Sequence, residues 1–307
     1  MNGLHTRRDG VKTSGQLADM LKVLGIRVRA LNYYRFYDVR FQRSQLYTCV
    51  QTTFFMAHFS IITVCLNAER EIRRTCESVV EQSFEDFEWI VVDGRSTDET
   101  MRILEEFRGK ITSLISEKDN GIYDAMNKGL EKATGNYIVF MNGGDTFSSN
   151  KVLAKVASAP HADLLYGDIF FNEVGGKCEK FPNKLGPEYL LKKMLSHQAI
   201  FYNRELFLKF GVFDTSYRIA ADYDLHVRLL KLARVTHYHI TEPLAVFDLT
   251  GMSSDPKFRA IRKKENHRVR KQYFPKYRIS LKCIRQELRG WITSLKQPSH
   301  IVKISQD

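Results

Sequence analysis

A chain of 307 residues is long enough for one large domain with extensions, or for two modest ones. With 43% apolar and 12% aromatic residues it can build a sizeable core, which excludes global disorder. The net charge of +12 is unevenly spread: residues 1–57 hold 9 Lys+Arg against 3 acids, 58–255 hold 23 against 29, and 256–307 hold 15 against 3. An acidic middle between basic flanks argues against a nucleic-acid-binding protein and fits ends that dock on an anionic membrane surface at least as well, a solvated helical face being the alternative for the basic tail.

Five scattered cysteines (Cys49, Cys65, Cys76, Cys178, Cys283) include no C-x-x-C pair. That spacing excludes a disulfide scaffold and a thiolate zinc site, and it suits a reducing compartment. No run approaches the roughly 18 apolar residues of a membrane span, and no signal-peptide h-region opens the chain. The expectation is a soluble, cytoplasmic protein.

In chain order, residues 1–57 read poorly as a domain. Met56 stands just before the first convincing strand, so it is a candidate natural start, or else 1–55 is a loosely attached extension. From there the pattern alternates. Apolar, β-branched runs predict strands over Ser60–Leu66, Phe87–Val92, Ile111–Ser116 and Tyr137–Met141, and helical spacing predicts helices over Arg70–Gln82, Thr97–Phe107 and Tyr123–Ala133. Such alternation predicts an α/β fold, a mostly parallel sheet with helices on both faces. Beyond Asn142 the pattern loosens, with an edge strand expected over Leu164–Phe171, short helices over Glu188–Met194 and Arg204–Lys209, and one longer helix over Asp222–Ala233. After Pro256 the chain is strongly basic with interleaved aromatics, and a helical extension is expected.

Four segments carry chemistry. In Ile90-Val-Val-Asp-Gly-Arg-Ser-Thr-Asp-Glu99 a buried strand ends in Asp93, where a carboxylate can accept from a nucleobase or ribose. Asp98 in the same segment reads as a helix cap. In Glu117-Lys-Asp-Asn-Gly-Ile-Tyr-Asp-Ala-Met-Asn127 a turn opens a helix whose Asp124 and Asn127 share one face and so could both point into a cleft. In Tyr137-Ile-Val-Phe-Met-Asn-Gly-Gly-Asp145 the glycines permit close approach, and Asp145 is suited to a hard cation bridging phosphates; an ordinary Gly-rich turn is the bland alternative. Ser196-His-Gln-Ala199 offers His197 to a phosphate or a metal, and in Ile219-Ala-Ala-Asp-Tyr-Asp224 Asp222 is either an N-cap or a general base.

The order and spacing of these segments resemble the family 2 glycosyltransferases of the GT-A fold, over about 58–250. The likeness is nearest to the bacterial branch that builds exopolysaccharide, such as colanic acid, or glycolipid glycans. The resemblance implies a GT-A domain over 58–255, flanked by the 1–57 extension and the basic 256–307 tail. It also implies a nucleotide-diphospho-sugar donor, a glycan or lipid-linked acceptor, and Mg or Mn as cofactor. By the same resemblance Asp93 binds base and ribose, Glu69 lies in the first nucleotide loop, Asp145 holds the metal, and Asp222 is the general base with Asp224 as its less favoured neighbour. His197 and Gln198 fall on the acceptor side, and Ser96, Asp124 and Asn127 complete the expected substrate contacts. Three departures stand out: Asp93-Gly-Arg-Ser96 replaces the frequent Asp-Asp-Gly-Ser, Leu66 replaces a frequent tyrosine, and Asn142-Gly-Gly-Asp145 leaves a single carboxylate in the metal motif. The reduced motif keeps a second reading open, a non-catalytic nucleotide-sugar-binding or scaffold subunit. The resemblance places the enzyme in the cytoplasm, or peripherally on the cytoplasmic face of the inner membrane.

Overall fold

Seven consecutive buried residues, Phe59–Cys65, form strand β1, as expected of a strand covered on both faces. In the computed structural model, which describes residues 58–173, 176–251 and 254–275, β1 leads into α1 (Ile72–Val80), β2 (Phe87–Asp93) and α2 (Thr100–Glu106). Then come β3 (Ser113–Ser116), α3 (Ile122–Lys132) and β4 (Tyr137–Phe140). All seven lie close to their predicted bounds. The reading of Met56 as a start, and the last part of the basic segment, fall outside the described residues.

The four strands pair in parallel in the order β3-β2-β1-β4. Cys65 lies opposite Asp93, and Asp93 opposite Ser116, so three strands end flush. The loops after them build one rim, the edge at which open α/β sheets take ligands.

The second half adds β5 (Thr146–Phe147), α4 (Val152–Ser158), β6 (Leu164–Phe171), β7 (Cys178–Glu179), α5 (Pro187–Lys192) and a 3-10 turn at His197–Ala199. It continues with β8 (Ile200–Asn203), α6 (Glu205–Phe210), α7 (Ala221–Val227), a π-helical stretch at Arg228–Ala233 and β9 (His237–Phe247). After a 3-10 turn at Pro256–Phe258, α8 (Arg259–Tyr273) closes the described chain. The sheet runs on as β4-β8-β6-β9-β5, with β8 antiparallel to β4 and β6, β9 parallel to β6, and β7 paired to β6.

Two expectations need correction. Leu164–Phe171 is an interior strand rather than an edge, because β8 and β9 flank it. Its polar Asp168 is satisfied there by His239 of β9, Oδ1 to Nε2 2.9 Å. The helix expected over Asp222–Ala233 changes form at Arg228, whose guanidinium bonds Asp224 one turn back and the carbonyls of Phe210 and Val212. The basic segment begins as α8, anchored by buried Val269 and Phe274. Among the described residues no helix is long and apolar enough to cross a membrane.

Gly135, at the turn into β4, shows how closely the chain approaches itself. A Cβ there would lie 2.6 Å from the Ser60 nitrogen and 2.7 Å from the Phe59 carbonyl carbon, both backbone atoms of β1. Gly135→Ala is therefore expected to cost about 1–3 kcal/mol, the range of core overpacking, read from urea unfolding. An unchanged midpoint would mean that the β1–β4 approach has slack.

Candidate active site

Above the rim lies a cavity of about 510 Å³. Asn142, Asp145, His197, Gln198 and Asp222 all line it, and Val64, Leu66, Ile122, Met194 and Phe247 give it largely apolar walls. Five residues from three distant stretches of sequence thus meet in one place. Leu66, at the position where a tyrosine is frequent, is 55% exposed and presents an aliphatic surface there.

The Asn142–Asp145 turn is fastened to α1. Thr75 Oγ1 donates to the Asp145 carbonyl at 2.8 Å and accepts from the Gly144 N–H at 2.9 Å. Gly144 has φ +104°, and a Cβ there would lie 2.4 Å from Asp248 Oδ2, so two constraints require glycine. The Asp145 carboxylate is buried, accepting from Gln198 Nε2 and from the Asp248 N–H, each at 2.9 Å. Burial pushes this carboxyl up to about 6, and the nearby Asp248 carboxylate adds to the rise. The Asp248 N–H, the charge of His197 and the Gln198 amide only partly oppose it.

Asp222 starts α7, equally buried but differently partnered. Its Oδ1 accepts from Tyr123 Oη at 3.1 Å and from the Tyr223 N–H at 2.8 Å, and its Oδ2 lies 3.5 Å from His197 Nδ1. Burial pushes this carboxyl upward too, but the hydrogen bond and charge of His197, the charge of His226 and the Tyr223 N–H outweigh it. The net shift is downward, so Asp222 is ionised at neutral pH. His197 Nε2 lies 3.0 Å from Asn142 Nδ2. His197 Nδ1 is the ring nitrogen that faces Asp222. Adjacent residues of one turn, His197 and Gln198, thereby hold Asp222 and Asp145 respectively.

Other candidate residues do not line this cavity. Asp93 is fully buried and engaged by its neighbours: it accepts from the Ser96 N–H at 3.0 Å, from Ser96 Oγ, and from Ser116 Oγ at 2.7 Å. Ser96 Oγ also accepts from the Asn67 N–H at 2.8 Å. Glu69 accepts from the Glu99 N–H at 3.1 Å; the N-cap of α2 is Glu99 rather than the expected Asp98, which sits one residue earlier and accepts from the Thr100 N–H at 3.0 Å and the Glu69 N–H at 3.1 Å. Contrary to the shared-cleft expectation, Asp124 accepts from the Asn120 N–H at 2.9 Å, while Asn127 clamps the backbone of Phe213 at 2.9 and 3.1 Å. Asp224 is held by Arg228 at 2.8 Å and Tyr273 Oη at 2.9 Å, a buried ion pair facing α8 rather than the cavity.

The structure also adds residues that the sequence reading passed over. Asp248 lines the cavity beside Asp145, with its Oδ2 2.7 Å from Arg74 Nη2. Glu265 of α8 accepts from three successive N–H groups, Arg218 and Ile219 at 2.8 Å and Ala220 at 3.0 Å. One carboxylate therefore fixes the turn that leads into Asp222. No local sequence pattern marked either one.

Hard divalent cations take oxygen ligands, and Mg in particular keeps several waters. Asp145, Asp248 and the buried Asn142 Oδ1, which has no hydrogen-bond partner among the described residues, all belong to the cavity wall. No group of three or more His, Cys, Asp or Glu among the described residues could hold a metal alone. The set fits a cation that draws its remaining ligands from phosphate and water.

Comparison with known proteins places the chain among glycosyltransferases. Residues 60–211 match the family model described as Glycosyl transferase family 2. A Mycobacterium bovis protein named PGL/p-HBAD biosynthesis glycosyltransferase is 36% identical over 208 residues, covering 64% of this chain and 79% of that protein. An uncharacterized glycosyltransferase of Mycobacterium tuberculosis is 31% identical over 203 residues, covering 64% and 76%. The crystal structure of S. aureus TarS 1-349 in complex with UDP-GlcNAc superposes with a TM-score of 0.57 at 19% identity, covering 77% of this chain and 79% of that one.

The raised Asp145 carboxyl has a consequence for stability. Its folded-state value of about 6 lies above the ordinary 3.8, so the folded chain binds the proton more tightly. Stability is lost as pH rises through that window, by up to about 3 kcal/mol. Asp145→Asn is expected to gain on the wild type from pH 4 to 7 in parallel denaturant melts. A wild-type advantage that grows over the same range would contradict the assignment.

Proposed function

Because the chain belongs to glycosyltransferase family 2 and carries its GT-A fold, we propose that it moves a sugar from a nucleoside-diphospho-sugar to an acceptor hydroxyl, inverting the anomeric carbon. The observation that carries this reading is the placement of Asp145 and Asp222 in one cavity, each bonded to a neighbouring residue of the His197–Gln198 turn.

In this reading the donor lies along the rim, its nucleoside toward Leu66 and Asp119 and its diphosphate toward Asp145. The UDP-GlcNAc bound by TarS supports a nucleotide-sugar donor. Asp93 braces the rim, and a direct contact with ribose or base exchanges one of its serine hydroxyl bonds for the ligand's. Asp222 takes the acceptor proton as the oxygen attacks the face opposite the leaving group; its lowered carboxyl keeps it in the base form. His197 orients that carboxylate through Nδ1, and the apolar walls exclude competing water. A Mg or Mn ion held by Asp145, with Asp248 and Asn142 beside it, would neutralise the charge that develops on the leaving diphosphate.

The mycobacterial relatives' named part in PGL/p-HBAD biosynthesis supports a glycolipid or glycolipid precursor as acceptor, ahead of an exopolysaccharide chain. The basic residues of 256–307 suit a peripheral position on an anionic cytoplasmic membrane face, at about 1 kcal/mol per engaged cation.

A screen of UDP-, GDP- and dTDP-sugars with Mn, followed by transfer to lipid extracts, tests the activity. With the active donor, Asp222→Asn is expected to lower kcat by roughly 10²–10⁴ while leaving donor affinity near wild type. Turnover that survives the substitution would move the base elsewhere. Donor binding by the wild type with neither transfer nor hydrolysis would favour the scaffold-subunit alternative.

A further inference from the structure

Beside the catalytic cavity is a second one of about 100 Å³, lined by Lys192, Lys193, Met194, Tyr223, Asn266 and Arg270. Met194 and Asn266 line both, so the two spaces adjoin. On α8, Arg262, Asn266 and Arg270 recur every four residues and share one helical face. The first two line the larger cavity and the last two the smaller, which makes this face a polar seam across both.

The small cavity is built around positive charge. Arg270 Nε donates to Tyr223 Oη at 3.2 Å, and the guanidinium lies 5.7 Å from the centre of that ring, so its position is fixed. Lys193 is paired with Glu179 at 2.8 Å. Lys192 and Arg270 have no carboxylate partner among the described residues. Arg270, held in place, and the exposed Lys192 both lack a counter-charge, and a space too small for a nucleotide beside them suits a single oxyanion. The donor diphosphate is not that oxyanion in the reading above, because its place is at Asp145, whose hydrogen bonds involve none of these residues. At the junction Met194 is 37% exposed and offers an apolar surface between the charged end and Asp222.

We propose that this small cavity is an acceptor phosphate site. The acceptor would be an amphiphile whose phosphate lies against Lys192 and Arg270, while its hydroxyl reaches Asp222 across the Asn266–Met194 junction. This rests on the glycosyltransferase reading and narrows its acceptor class to phosphate-bearing lipids.

The test is equilibrium binding of farnesyl phosphate and farnesol to the full chain, with UDP, GDP and dTDP as a separate donor-site arm. The wild type should bind the phosphate about tenfold or more tightly than the alcohol, the scale of one hydrogen bond to a charged group. The preference should weaken with added salt. In Lys192→Gln/Arg270→Gln it should vanish with nucleotide affinity unchanged, and Arg270→Lys, which keeps the charge, should retain most of it. Lys192→Gln alone changes only an exposed side chain, so its partial loss can be read even if the double variant folds poorly. Equal binding of phosphate and alcohol by the wild type would overturn the proposal. So would a preference that survives in the variants, or a fall in nucleotide affinity that parallels the fall for farnesyl phosphate. A wild type that binds none of the nucleotides would strike at the donor reading instead, because the farnesyl arm is read independently.

Discussion

The site depends on one short turn. His197 and Gln198 are consecutive, and each bonds a different buried carboxylate: Gln198 holds Asp145 from the end of β4, and His197 faces Asp222 from the start of α7. Both carboxylates carry large desolvation penalties that only such partners offset. The turn leads directly into β8, which pairs antiparallel with β4. The spacing of the two acids is thus tied to the register of the central sheet rather than to a mobile loop.

The same burial has opposite outcomes at the two acids. Asp145 sits beside a second carboxylate, Asp248, and its carboxyl rises to about 6; Asp222 sits beside His197 and His226, and its carboxyl falls. Titratable pairs whose surroundings drive them apart commonly divide roles between them. Here Asp222 stays a proton acceptor near neutrality. Asp145, ionised only above about 6, gains most from an added positive charge. Arg74 contributes by compensating Asp248, and Glu265 by bonding three N–H groups ahead of Asp222. The first helix of the basic segment is thus a wall of the site.

The first half of the fold was legible because its strands are continuous apolar runs and its helices have clean periods. The second half was not. β9 keeps only Leu244 and Ala245 buried along eleven residues and contains Pro243, so no apolar run announces it. Without β9, Leu164–Phe171 had to read as an edge. At the site, Asp145, His197, Gln198 and Asp222 were readable from motif order, and they converge on one cavity. Asp93, Asp124, Asn127 and Asp224 are polar residues at the right places in sequence, but local partners take up their side chains. Spacing tells which residues can face a cleft; only packing tells which hydroxyl or N–H reaches them first. Asp248 and Glu265 act through contacts across 103 and about 45 positions of sequence, beyond the reach of any local pattern.

A manganese anomalous difference map of the crystalline protein, soaked with Mn and the nucleoside diphosphate that binds best in solution, tests the central claim most directly. The expected result is a peak in direct coordination with the Asp145 carboxylate, with the diphosphate in the same cavity and open space between it and Asp222. A peak away from Asp145, or a nucleotide bound outside the cavity that contains Asp222, would contradict the claim that one bound donor spans the two carboxylates.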